Sequence, residues 1–147
     1  MSRQSAQARS VGERLRPTVG DPRRALAVAA GDLLAIVAVV GWGLYSHYGA
    51  AAFATPVDSL MTVLPFALGW PIPAVLAGVY EDGVIDDPLA TARYVTVAWI
   101  AGANISLILR TSPLFEGSAA WPFPLVVTGS VFVVLLGWRV AVASLLD

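Results

Sequence analysis

The sequence predicts an all-α, polytopic membrane protein with four transmembrane helices in an antiparallel bundle, the second of them broken by prolines. Three observations carry this expectation. Four runs, Ala25 to Tyr45, Ser59 to Tyr80, Leu89 to Leu109 and Pro124 to Leu146, are apolar and meet the length of about 20 helical residues that a hydrocarbon core requires. Composition agrees: 57% of the residues are hydrophobic and 13% charged, about half the charged share of an ordinary globular domain, with a mean hydropathy of +0.73. The loops are short, which makes neighbouring helices antiparallel. The 147 residues leave room for one bundle, residues 25–147, behind a polar arm, residues 1–24.

The arm is rich in Ser, Gln and Arg and holds little to pack, so disorder is expected for it. Arg3, Arg9, Arg14, Arg16, Arg23 and Arg24 supply six of the nine basic residues, all of them arginine. Cytoplasmic flanks retain positive charge. The first helix should therefore run from inside to outside, and four spans bring the C-terminus back to the cytoplasmic face of a plasma membrane. Arg93 and Arg139 then also lie toward the cytoplasm and only Arg110 lies outward. The arm reads as a topology determinant beside anionic headgroups, not as a nucleic-acid ligand. Expected partners are the lipid bilayer and either a second copy of the chain or a membrane partner subunit. Arg23-Arg24 before an apolar run, with small residues at Ala50-Ala51-Ala52-Phe53-Ala54, has the outline of a secretory signal. The run is too long for a signal core of about 7 to 15 residues, so it is read as a retained span.

Helix one opens on Asp21-Pro22, an N-cap carboxylate followed by proline at the first helical position. Ala27, Gly31 and Ala35 allow close helix approach, while Trp42, Tyr45 and Tyr48 suit the outer interface. Asp32 lies eight positions beyond Arg24, roughly 12 Å along the axis. An unpaired carboxylate is costly at that depth. Arg139, at a comparable depth from the C-terminus, is the favoured partner. Arg93 competes, although its side chain could instead snorkel to the interface. Such a pair either fixes helix register or marks an ion or proton path.

Helix two, with Asp58-Ser59 as its cap, carries Pro65-Phe66-Ala67-Leu68-Gly69-Trp70-Pro71-Ile72-Pro73 at mid-membrane depth. Each interior proline removes a donor and crowds the carbonyl four residues back, so a kink or short unwound stretch is expected. Irregular backbone survives in a membrane only when buried by protein or facing a wet cavity, as in transporters. Pro65, Gly69, Trp70, Pro71 and Pro73 are therefore a candidate broken-helix site. Ala74 and Gly78 add small residues. The turn Glu81-Asp82-Gly83-Val84-Ile85-Asp86-Asp87 matches no calcium loop and reads as solvated, with Asp87-Pro88 capping helix three.

Helix three places Ala98, Gly102 and Ser106 on one small-residue stripe. Asn104 lies off that stripe and is expected to bridge to another helix, satisfying a carbonyl freed by the helix-two prolines. Helix four begins at Trp121-Pro122-Phe123-Pro124 and offers Gly129 and Gly137 for close contact. Tyr80, Tyr94 and Trp138 suit the inner interface, and His47 with Arg110 forms either an outer entrance site or a pair of interface anchors.

Much chemistry is excluded. The absence of cysteine rules out disulfides, thiolate zinc sites and cysteine-ligated clusters, and the single histidine cannot make a histidine cluster. No nucleophile-base-orienter set, glycine-rich phosphate loop or HExxH motif occurs. A non-enzymatic protein without cofactor or metal is expected.

The order of Asp32, His47, Pro65-Phe66, Gly69-Trp70 and Gly137-Trp138-Arg139 resembles the domain of unknown function 3054 family, short archaeal and bacterial four-helix membrane proteins. The resemblance covers most of Arg24 to Val140. It departs at the helix-one exit, where Trp42 follows Gly41 in place of an arginine. It implies the fold and supplies no activity. The expected function is that of an accessory or structural membrane component. The alternative is a small oligomeric transporter or channel for ions or small solutes, using Asp32 and the helix-two break.

Overall fold

A computed structural model describes residues 20–146, all of whose regular structure is helical. The arm expected to be disordered, residues 1–24, lies outside them except for residues 20–24, and so does Asp147. In chain order the helices are α1 (Pro22–Tyr48), α2 (Ala51–Ala54), α3 (Pro56–Gly69), α4 (Pro71–Leu76), α5 (Asp82–Ile85), α6 (Pro88–Arg110) and α7 (Phe123–Leu146). Four are long and apolar enough to cross a membrane: α1, the α3–α4 pair taken together, α6 and α7.

Two of these helices begin in the way their sequence dictates. The Asp21 carboxylate accepts from the Arg23 N–H at 3.0 Å, and Asp87 accepts from Leu89 and Ala90 N–H at 2.8 and 2.9 Å. Proline follows each cap, so no donor is lost. Arg23 and Arg24, counted with the arm, stand on the first turn of α1. The second span starts earlier than Asp58-Ser59 suggested. Helix α3 begins at Pro56 after an N-cap, Thr55, that makes no side-chain cap bond, and Ser59 Oγ donates instead to the Ala52 carbonyl of α2 at 2.5 Å.

The helices pack in a ring, α1 against α7 and α3, α6 against α3, α4 and α7. Ile36 and Val40 from α1, Phe66 and Trp70, Val95 and Trp99 from α6, and Val131 and Leu135 from α7 fill the centre. Leu34, Leu68, Ile72, Ile100, Ile108 and Val133 point outward, as expected of helices that are apolar all round. The backbones of α3 and α6 approach closely. A Cβ on Gly69 would lie 2.9 Å from the Ser106 nitrogen and 3.0 Å from the Gly102 carbonyl oxygen, which places the Ala98-Gly102-Ser106 stripe in the contact expected of it. Gly129 and Gly137 are a correction. Nothing lies within 4 Å of a Cβ built at either, because both face away from the bundle.

Helices α3 and α4 meet at Trp70, within the stretch expected to kink or unwind. Trp70 keeps right-handed helical angles, φ −80° and ψ −48°, and the Ala74 N–H reaches the Trp70 carbonyl at 3.1 Å. The prolines interrupt donors while the path of the backbone stays helical. The span ends at a Schellman turn, with Gly78 at φ 76°, Gly78 N–H on the Val75 carbonyl at 3.1 Å and Val79 N–H on the Ala74 carbonyl at 3.0 Å. A glycine is needed there, since side chains seldom adopt that φ. The turn sends Val79 back under the bundle, fully buried.

The acidic segment that follows is less solvated than expected. Val84 and Ile85 of α5 are buried, Thr91 Oγ1 donates to the Val84 carbonyl at 2.5 Å, and Asp86 pairs with Arg24 through both guanidinium nitrogens.

Candidate functional site

The inward face of α1 repeats every four residues through Val28, Asp32, Ile36 and Val40. The inward face of α7 does the same through Val127, Val131, Leu135, Arg139 and Ala143. Each stripe carries one ionised residue in an apolar row, and the two meet. Asp32 is 0% exposed and Arg139 1%; Arg139 Nη1 donates to Asp32 Oδ2 at 3.2 Å. Opposite charges paired inside the bundle avoid the cost of an isolated ion in hydrocarbon.

The remaining valences are filled by the second span and its turn. Arg139 Nη2 donates to the Val79 carbonyl at 2.6 Å, which the Schellman turn has aimed inward. The Tyr80 hydroxyl donates to Asp32 Oδ2 at 2.9 Å and accepts from Trp70 Nε1 at 2.9 Å. Trp138 Nε1 donates to Asp32 Oδ1 at 3.2 Å. The guanidinium carbon lies 5.4 Å from the Tyr80 ring centroid, in cation–π range. Trp70 leans on Trp99 of α6 at 6.0 Å between ring centroids. Among the described residues no buried side-chain nitrogen or oxygen lacks a partner. Gly31 makes room for the Trp138 indole, whose Cε2 would lie 2.8 Å from a Cβ at that position.

Of the residues singled out from sequence, Asp32, Arg139 and Trp70 come together. Pro65, Gly69 and Pro73 are buried and Pro71 half-buried. Arg93 does not reach Asp32. It is exposed, five positions beyond Pro88 on the outer side of α6, away from the buried row Thr91, Val95, Ala98 and Gly102. Asn104 does not bridge to another helix, because it too faces outward and donates to the Ile100 carbonyl of its own helix at 2.7 Å. His47 is exposed, while Arg110 donates to the Ser118 carbonyl at 2.8 Å and covers the Phe123 ring at 4.5 Å. Among the described residues neither a hydrogen bond nor an ion pair joins His47 to Arg110.

Sequence reasoning missed Tyr80, Trp138 and the Val79 carbonyl as members of the site, having assigned the two aromatics to the interface. The available signals were the pairing of Gly31 with Asp32, which leaves space for a large neighbour beside the carboxylate, and the placement of Trp138 next to Arg139. A cavity of about 280 Å³ lies toward the other end of α1, between Val37, Gly41, Leu44, Phe53, Leu60 and Val63, and has no ionisable side chain in its lining.

Four helices able to cross a bilayer, closed around one buried Asp–Arg pair, define a small polytopic membrane protein. The chain belongs to the family described as Protein of unknown function (DUF3054), whose model matches residues 29–142. That match bears out the resemblance drawn from Asp32, Gly69-Trp70 and Gly137-Trp138-Arg139, and it spans every residue of the site. No curated protein and no solved structure matches the chain.

Proposed function

We propose that this protein is a non-enzymatic accessory or structural component of the membrane, and that the Asp32–Arg139 cluster is the lock that sets its helices in register. One observation carries the reading: a carboxylate in the bundle accepts from Tyr80, Trp138 and Arg139 at 2.9 to 3.2 Å and has no free face. A conducting carboxylate must exchange protons or ions with water, whereas here protein donors fill the coordination of Asp32. Linking α1, the end of the second span and α7 through one charge pair is what a register device requires. The arginine bias toward the N-terminal flank supports a plasma-membrane orientation with both termini cytoplasmic.

The test is ion and proton flux in proteoliposomes, wild type beside Asp32→Asn, with thermal unfolding in detergent measured on both. The reading expects flux no greater than that of empty liposomes from either protein, and a markedly lower unfolding temperature for the variant. Wild-type flux that disappears in an equally stable Asp32→Asn would overturn it in favour of conduction through Asp32.

A further inference from the structure

Helix α6 presents a second ordered face, opposite its buried one. Tyr94, Val97, Ala101, Asn104 and Ile108 are all exposed, and their spacing alternates three and four residues. That is the a/d repeat of a helix seam that packs against a partner helix. No other helix of the bundle covers this stripe.

Asn104 is the one amide in it. It lies sixteen residues beyond Pro88 and six before Arg110, so roughly 24 Å and 9 Å from the two ends of the span, within the hydrocarbon. One amide N–H is used on the Ile100 carbonyl. The Oδ1 atom accepts no hydrogen bond among the described residues, although a polar group facing lipid seeks a partner across a helix interface. Neighbouring Ala101 is small enough to let two backbones approach.

We propose that α6 is the interface of a homodimer in the membrane, two copies of this chain pairing in parallel along Tyr94, Val97, Ala101, Asn104 and Ile108, with the two Asn104 amides bonded to each other. The occupant follows from the chemistry of the amide. It carries both a donor and an acceptor, so it is complementary to itself. Two copies inserted with the same topology, related by a two-fold axis along the membrane normal, bring Asn104 to the same depth in both. A single polar residue in such a seam fixes its register. The inference rests on the chain spanning a bilayer and is independent of the Asp32 lock.

The absence of cysteine allows a direct test. Single substitutions Val97→Cys, Ala101→Cys and Ile108→Cys on the seam, and Gly129→Cys on the open face of α7, are oxidised in native membranes, and association of Asn104→Leu and Asn104→Gln is measured in bilayers. The seam cysteines should cross-link into dimers and Gly129→Cys should not. Asn104→Leu should lower the association constant by about 3- to 30-fold and Asn104→Gln should retain most of it. Both should unfold at the wild-type temperature in detergent, since the side chain touches no other helix of its own copy. Cross-linking that favours Gly129→Cys, a monomer throughout, or an Asn104→Leu dimer as tight as wild type would each overturn the proposal. The unfolding measurement on Asp32→Asn reads the lock separately.

Discussion

The two ends of the bundle are held by different physics. At the end where α1 begins and α7 ends, Asp32, Arg139, Tyr80, Trp138 and Trp70 form a closed hydrogen-bonded set, and Arg24–Asp86 ties α1 to the turn after the second span. At the other end the contacts between α1, α2 and α3 are apolar apart from the Ser59–Ala52 hydrogen bond, and they leave a cavity of about 280 Å³. Lipid is as apolar as the bundle centre, so hydrophobic burial gives little preference for one helix arrangement over another in a membrane. Directional bonds do give such a preference. The polar end therefore specifies the arrangement and the apolar end follows it, which predicts that substitutions of similar size will have unequal effects at the two ends.

The sharpest way to break this asymmetry is Arg139→Leu, which leaves the Asp32 carboxylate buried without its counter-ion. A loss of about 3 to 5 kcal/mol is expected, read as unfolding in detergent. The double variant Asp32→Leu/Arg139→Met removes both charges and should unfold at a higher temperature than either single variant. It should stay below wild type, because the Val79 carbonyl and the Trp138 indole lose their partners. A double variant less stable than both singles would show that the pair does not act as one unit. Tyr80→Phe comes next. It deletes the hydroxyl between Trp70 and Asp32, and should cost about 1.5 to 3 kcal/mol by the loss of a bond to a charged group.

Much of the polar end was legible in the sequence, and the reason is locality. Counting residues from Arg24 and from the C-terminus gave Asp32 and Arg139 comparable depths, and Asp21-Pro22 and Asp87-Pro88 announced their caps because those bonds span only two or three residues. What failed depended on helix rotation. In water a polar stripe reveals which face looks outward; in a membrane both faces are apolar, so Asn104, Gly129 and Gly137 carry expectations of inward contacts that the structure does not make, while Arg93 takes the outward of its two expected courses. The helix-two prolines act locally too: α3 and α4 meet at Trp70, yet losing donors at Pro71 and Pro73 does not by itself move φ and ψ out of the helical region, and Gly69 packs closely on Gly102 and Ser106 beside that junction.

That packing yields the third prediction. A methyl at Gly69 would meet the Ser106 nitrogen and the Gly102 oxygen, both backbone atoms that cannot rotate away. Gly69→Ala should therefore push α3 from α6 and cost about 1 to 3 kcal/mol, read as a lower unfolding temperature in detergent.

The smallest effect is expected at the apolar end, and its sign is opposite. Gly41 sits inside α1, lines the cavity, and has nothing within 4 Å of a Cβ built on it. Gly41→Ala meets no steric penalty and removes a flexible residue from a helix interior. A gain of about 0.5 to 1 kcal/mol should follow, measured under the same detergent conditions as Gly69→Ala. The two substitutions add the same methyl group, so the difference between them isolates the packing around each glycine. If Gly41→Ala destabilised the protein as much as Gly69→Ala, the apolar end would be as tightly specified as the polar one, and the division of labour between the two ends would have to be abandoned.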